Sequence, residues 1–322
     1  MKKIRKILPF IKNRAAKIGI YGAGSWGGAL AVNLAQNHKV KVYSLFEQEF
    51  NNKNIKLTLD VQKLKKCDYL LLCVPTQNVR EFLDVCAPHI PKKAPILICC
   101  KGVEQATLKL PSQIVQEYLP NPIAALSGPN FADEIAQLKP AATNIACADI
   151  DLGEQIIEAV SSPTLRGYYV DDVIATQVCG AIKNVIAIAS GIVMGRNLGE
   201  NARASLITRS LNEISLLCKA MGGNPAIINN LAGVGDLMLT CSSLKSRNTN
   251  FGYHLAKGED STDILKNSEV VEGYYTAKTI KQLMEKYNIE MPICMAVYNI
   301  LYEAADINEQ IQNLLRRPIY IS

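Results

Sequence analysis

The chain has 322 residues, 48% of them hydrophobic and 20% charged, which is enough apolar material for two ordinary domains and too much for a disordered chain. Its formal net charge of +6 is not spread over a binding face: Lys2, Lys3, Arg5, Lys6, Lys12, Arg14 and Lys17 crowd the first 17 residues without an acid, and the remainder is close to neutral. A nucleic-acid partner is therefore not expected.

Residues 1–16 read as a basic tail, because Ile7–Ile11 is too short and too broken by Pro9 to be a secretory signal. The ten cysteines form no C-x-x-C pair, and His38, His89 and His254 have no ligand-like spacing. No metal site is expected, and the setting expected is reducing and cytoplasmic.

From Lys17 to about Cys147, short apolar runs alternate with helical patterns: Lys17–Tyr21, Lys39–Tyr43, Tyr69–Val74, Ile96–Cys100 and Ile123–Ser127. Continuous rather than alternating apolar runs are the mark of parallel strands covered on both faces. After about Val170 the runs take helical length, as in Asp172–Met194, Ala202–Met221 and Tyr275–Tyr287. The reading is an α/β domain over 17–170, doubly wound with a mostly parallel sheet, and an all-α domain over 171–322, joined near Arg166–Asp172.

The first strand runs into Gly22-Ala23-Gly24-Ser25-Trp26-Gly27, which opens a helix from Ser25 to Gln36. This is the context a dinucleotide-binding turn requires: Gly22 for the tight turn, Gly24 for close approach of a pyrophosphate, Gly27 for packing of helix on strand. The anion then meets unpaired amides and the positive end of the helix dipole. A plain strand-to-helix turn would need fewer glycines, so the N-terminal domain is read as Rossmann-like. About 20 residues on, where such folds place an acid on the adenosine ribose, stands Glu47. It leans towards NAD, but Leu45 and Phe46 at the strand end carry no charge, and a solvated acid is an equal reading. The choice between NAD and NADP stays open.

In Asp172–Gly195, Lys183 and Asn184 interrupt more than 20 apolar or small residues. A membrane span would put a lysine in mid-bilayer at about 2.5–3.5 kcal/mol, so a buried helix at a domain interface fits better. Burial lowers a lysine's pKa and turns the amine into a proton acceptor near neutral pH. Lys183 is the leading catalytic candidate, against a lysine that snorkels to the surface.

Taken together, Gly22–Gly27, Val74-Pro75-Thr76, Cys100-Lys101-Gly102, Ser127-Gly128-Pro129-Asn130-Phe131-Ala132, Gly180–Val185, Asn201-Ala202-Arg203, Gly233–Leu237, Ser246-Arg247-Asn248 and Val270–Gly273 resemble the NAD(P)-dependent glycerol-3-phosphate dehydrogenases of bacterial type. The resemblance runs from Lys17 nearly to the C-terminus. It implies interconversion of sn-glycerol 3-phosphate and dihydroxyacetone phosphate, with the former supplied to glycerophospholipid synthesis. Lys183 matches the family's catalytic lysine. Lys101, which follows the fourth predicted strand, and Asp236, which follows a Gly-Val-Gly turn, match substrate-contacting positions, as do Gly128, Asn130, Ser246, Arg247 and Asn248. Arg247 offers a planar fork suited to a phosphate. Cofactor contacts implied are Gly22, Gly24, Ser25, Trp26, Gly27, Lys101, Ala132 and Arg247, with Val270 and Glu272 closing over the dinucleotide.

Three departures stand out. The Asn/Lys-rich stretch Asn51–Lys56 is shorter than the family's usual segment, Leu45 or Phe46 replaces a basic or polar residue, and Asn130 stands where serine or threonine is common, although an amide can still donate there. The partner implied is a small phosphorylated three-carbon substrate, and a homodimer is left open. One competing reading is another two-domain dehydrogenase, of a hydroxyacid or a nucleotide sugar, which would not need Arg247 beside Asn248 and, for a nucleotide sugar, would need a catalytic cysteine; the other is a non-catalytic dinucleotide sensor, against which stand the intact Lys183 and Asp236.

Overall fold

A computed structural model describes residues 15–318. The basic tail therefore lies, up to residue 14, outside the described residues. Contacts divide the chain into two compact units.

The first unit holds residues up to Val74, Asn78–Cys100 and Ser112–Val173. It is built on eight strands: β1 (Lys17–Tyr21), β2 (Lys39–Tyr43), β3 (Ile55–Thr58), β4 (Tyr69–Leu72), β5 (Ile96–Ile98), β6 (Ile123–Ser127), β7 (Ala141–Cys147) and β8 (Leu165–Val170). They form one sheet in the order β3-β2-β1-β4-β5-β6-β7-β8. All neighbours are parallel except β6 and β7. The helices are α1 (Ser25–Leu34), α2 (Val79–Cys86), α3 (Pro111–Tyr118), α4 (Ala132–Ala136) and α5 (Ile150–Val160). Ile18, Ile20, Val40, Val42 and Leu71 pack with Ala29, Leu30 and Leu34 of α1, and the same core takes in Ile156, Ile157 and Val160 of α5. Each such valine, leucine or isoleucine side chain, fully buried, contributes about 1.5–3 kcal/mol, so the central strands need no alternating pattern to be held.

This is the doubly wound, mostly parallel architecture expected, with corrections at its margins. Three strands escape a search for long apolar runs. β3 and β8 are edge strands with solvent-facing residues, burial falling off after Ile55 in one and alternating in the other, while β7 is made of small residues and a buried Asn144. Part of the Asn51–Lys56 stretch is thus the start of β3, Lys101 follows the fifth strand rather than the fourth, and the span Arg166–Asp172 is largely β8 rather than a join.

The order places a switch point at β1, from which the sheet grows to β2 and β3 on one side and to β4 on the other. Ligands of such sheets sit outside the carboxyl ends of the strands at that point, and the glycine turn leaves β1 there. Gly22 has φ +103°, a left-handed conformation that side chains disfavour. A methyl on Gly27 would lie 2.0 Å from the Gly22 carbonyl oxygen, whereas one on Gly24 would meet nothing within 4 Å.

The second unit holds Pro75–Gln77, Lys101–Pro111 and everything from Ile174 onward. Its helices are α6 (Val173–Gly195), α7 (Glu200–Ala220), α8 (Asp236–Cys241), α9 (Arg247–Ala256), α10 (Ser261–Lys266), α11 (Glu272–Ala277), α12 (Ile280–Tyr287), α13 (Pro292–Tyr302) and α14 (Ile307–Leu315). The single run expected over Tyr275–Tyr287 is two helices: the Thr279 hydroxyl and amide both donate to the Thr276 carbonyl, at 2.7 and 2.9 Å, and turn the chain between α11 and α12. α6 is long and apolar enough to cross a membrane, yet every residue from Ala175 to Val193 is buried within the protein. It is the core helix of this unit. It meets α9 through reciprocal glycines, since a methyl on Gly191 would lie 2.0 Å from Thr249 O and one on Gly252 2.0 Å from Ile188 O. That contact fixes the part of α6 after Lys183, from Ile188 to Gly191, against α9.

Gly27→Ala should lower the unfolding free energy by about 1–3 kcal/mol through overpacking, and Gly24→Ala should leave it unchanged. Urea denaturation of both variants checks the contrast; equal midpoints would contradict the assigned packing.

Candidate active site

In the α/β unit, Gly22, Gly24, Ser25, Trp26 and Gly27 form the turn from β1 into α1. The Gly22 amide donates to Tyr43 O at 3.0 Å, which ties the turn to the end of β2. The open face at Gly24 and the tight seat of Gly27 fit a dinucleotide pyrophosphate on the first turn of α1. Gly128 and Asn130 follow β6, and Ala132 begins α4, which packs against α1. The Asn130 amide nitrogen, expected as a donor to substrate, donates instead to Pro129 O and Ala142 O, each at 3.0 Å. Its carbonyl Oδ1 is buried without a hydrogen-bond partner, as is the Thr143 hydroxyl.

In the helical unit, the chain entering α8 passes through a π-turn, Leu231–Gly235, which delivers Asp236 as the first residue of the helix. Such turns are rare and concentrate at functional sites. Asp236 is 1% exposed and accepts from two ammoniums, Lys183 Nζ on Oδ1 at 2.7 Å and Lys101 Nζ on Oδ2 at 2.6 Å. Lys183 Nζ also donates to the Thr240 hydroxyl at 2.8 Å. The structure therefore brings Lys101, Lys183 and Asp236 into one buried cluster. Burial pulls the Lys183 ammonium down to about 8 against the opposing pull of Asp236, with Lys101 pushing the same way as burial. Burial would raise the Asp236 carboxyl, but the charges of Lys101 and Lys183 outweigh it and hold the carboxyl below its usual range.

Ser246 caps α9, its Oγ accepting from Thr249 N, so it serves the helix before any ligand. Asn248 is buried, donating to Asn184 Oδ1 at 3.1 Å and accepting from Gly273 N at 2.8 Å. Asn184 in turn donates to Lys101 O at 3.5 Å, so the two asparagines run from α9 and α11 back to the lysine loop. Arg247 extends outward and pairs with Glu269 at 2.9 Å. Val270 is 42% exposed. Glu272 Oε1 accepts from Thr76 N at 2.9 Å while Oε2 is buried without a hydrogen-bond partner.

Thr240, Asn184, Thr76 and Glu269 have no site role assigned from the sequence, although Asn184 and Thr76 lie within the motifs Gly180–Val185 and Val74-Pro75-Thr76. Thr240 had a readable signal, standing four residues after Asp236 and so on the same helix face. Asn184 was visible as the second polar residue in an apolar run. Glu269 carried no signal.

Burial raises the Glu272 carboxyl to about 7 despite the Thr76 amide and the charge of Arg247. A carboxyl raised from 4.5 in this way favours folding below that pH, a contribution lost as pH rises through about 7. Glu272→Gln, which keeps the acceptor for Thr76, should therefore gain stability relative to the parent between pH 5 and pH 8, by up to about 3 kcal/mol. Chemical denaturation at the two pH values checks it, and a difference independent of pH would contradict it.

Two family models match the chain: NAD-dependent glycerol-3-phosphate dehydrogenase N-terminus over residues 49–153 and NAD-dependent glycerol-3-phosphate dehydrogenase C-terminus over residues 172–312. A protein of Caulobacter vibrioides named glycerol-3-phosphate dehydrogenase [NAD(P)+] is 40% identical over 94% of this chain and 98% of its own length. One of the same name from Wolbachia sp. subsp. Brugia malayi is 38% identical over 91% and 98%. The crystal structure of glycerol-3-phosphate dehydrogenase from Coxiella burnetii superposes with a TM-score of 0.89 at 34% identity, covering 94% of this chain and 99% of that one. With both halves matched and relatives aligned nearly end to end, the chain belongs to the NAD-dependent glycerol-3-phosphate dehydrogenase family.

Proposed function

We propose that this enzyme interconverts sn-glycerol 3-phosphate and dihydroxyacetone phosphate using NAD(H) or NADP(H), with Lys183 moving the hydroxyl proton. The observation that carries the reading is the seat of Lys183: buried on α6, bonded to Asp236 and Thr240, and brought down to about 8. When bound, the nicotinamide ring supplies the hydride chemistry, accepting hydride from the secondary carbon or returning it.

Two of the three Lys183 N–H directions are taken by Asp236 and Thr240, leaving the third for the substrate oxygen. In oxidation the neutral amine takes the hydroxyl proton as the C–H bond breaks; in reduction the ammonium returns a proton to the forming alkoxide. Asp236 positions the amine and limits its loss of basicity, and Lys101, held on the other carboxylate oxygen, adds positive charge for the phosphorylated substrate. Arg247 and Asn248 are assigned to the phosphate end, with Ser246 fixing the helix start that carries them. That Arg247 pairs with Glu269 at the surface supports a guanidinium that exchanges one anion for another. Gly128 and Asn130 are assigned to substrate in the α/β unit. Ala132, with the glycine turn, is assigned to cofactor there. Lys101, Val270 and Glu272 complete the cofactor contacts. The ten cysteines, none of them in a disulfide, suit a reducing compartment, and we place the enzyme in the cytoplasm, supplying glycerol 3-phosphate for glycerophospholipid assembly.

Lys183→Ala should reduce turnover by about 10²–10⁴-fold while leaving dinucleotide binding nearly intact; steady-state assays with dihydroxyacetone phosphate check this, and undiminished activity would remove Lys183 from its role. The kcat/KM for glycerol 3-phosphate oxidation should rise with pH through about 8 as Lys183 loses its proton. Because Asp236 raises the Lys183 pKa and Lys101 lowers it, Asp236→Asn should shift the limb of the residual activity to lower pH. A limb that stays or moves upward would contradict the coupling.

A further inference from the structure

We infer that the segment Ser44–Phe50, which leaves β2 beside the glycine turn, makes this enzyme select NADH over NADPH by charge. The inference rests on the dinucleotide lying at the glycine turn, as proposed above, and goes beyond it by naming which dinucleotide.

β2 runs parallel to β1 with Tyr43 opposite Tyr21, and Gly22 N donates to Tyr43 O at 3.0 Å. The residues after Tyr43 therefore emerge at the carboxyl edge of the sheet, next to the turn. They stay there to flank α1, since a methyl on Gly28 would lie 3.7 Å from the Phe50 ring and 3.8 Å from Gln48 Nε2. This is where a doubly wound fold meets the adenosine ribose, with an acid for a free 2′-hydroxyl or an arginine for a 2′-phosphate.

Ser44-Leu45-Phe46-Glu47-Gln48-Glu49-Phe50 contains two carboxylates and no cation. Leu45 and Phe46 are 75% and 78% exposed and offer no donor group on their side chains, while the Ser44 hydroxyl accepts from Phe46 N. The next cation, Lys53, is carried to the opposite edge: Val40 N, at the start of β2, donates to Asn54 O, and Ile55 opposite Val40 begins parallel strand β3. Beyond β3 the first charge is Asp60, which faces Lys63 at 4.0 Å. A 2′-phosphate placed at the end of β2 would thus meet Glu47 and Glu49 where it needs a guanidinium, whereas a 2′-hydroxyl would find a carboxylate acceptor.

The test titrates the purified enzyme with NADH and with NADPH, following the fluorescence of Trp26, the single tryptophan and a member of the glycine turn, and repeats kcat/KM for each cofactor with dihydroxyacetone phosphate. NADH is expected to bind at least about tenfold more tightly than NADPH, and Glu47→Lys with Glu49→Lys should swing the ratio towards NADPH by about tenfold or more. Lys53→Glu should leave the ratio as it is. Equal or tighter binding of NADPH by the parent enzyme, or a ratio unmoved in the double variant, overturns the inference. Selective NADH binding without turnover of dihydroxyacetone phosphate would support it and overturn the proposed reaction instead.

Discussion

A single buried carboxylate, Asp236, holds two ammoniums, and the chemistry of the helical unit follows from that imbalance. One charge pair would be neutral; Lys101 and Lys183 on the two oxygens of Asp236 leave the cluster with an excess of one positive charge. Burying charges costs several kcal/mol per ion and is offset only by good geometry and full hydrogen bonding. Here the offset is incomplete on the lysine side, which is why Lys183 is pulled down while Asp236 is held ionised. Burial, with the charge of Lys101 beside it, brings Lys183 into the range of a usable base, and the excess positive charge of the cluster favours the anionic substrate proposed for it.

The fold spends backbone conformations to hold this arrangement. The π-turn before α8 aims Asp236, and the next turn of the helix adds Thr240 below it. α6 brings Lys183 in from an otherwise apolar core, and the glycine contact with α9 keeps the two helices at a backbone distance that no larger residue allows. Asn184 and Asn248 then connect the lysine loop, α9 and the start of α11 through side-chain amides. Because each amide both donates and accepts, the orientation of one fixes that of the next.

How much of this could be read from sequence depends on whether the determinant is local. The turn Gly22–Gly27 is legible because glycine is required by backbone geometry within six residues. Lys183 is legible as a residue to single out because its charge interrupts a long apolar run, although only the fold decides between burial, which it shows, and a lysine that snorkels to the surface; the core strands are legible because they are buried on both faces. β3, β7 and β8 were not, since edge exposure and small residues erase the apolar run, and their existence is decided by pairing with neighbours distant in sequence. The break at Thr279 turns on one hydroxyl reaching a carbonyl three residues back. The partners of Arg247, Ser246 and Asn130 were also out of reach: each was expected to face ligand, and each is engaged by protein at a position that only tertiary contact specifies.

The reversal between β6 and β7 has a mechanical meaning. Because β7, together with its parallel neighbour β8, runs against the other six strands, its first residues, not its last, arrive at the edge where β6 ends, with Asn144 opposite Ser127. The loop Gly128–Asn130 is therefore clamped to the start of a strand, through Ala142 O and against Thr143, instead of hanging from the end of one. A loop ordered in advance loses little entropy when something docks on it. Asn130 Oδ1 and the Thr143 hydroxyl are polar atoms already desolvated on that rigid floor.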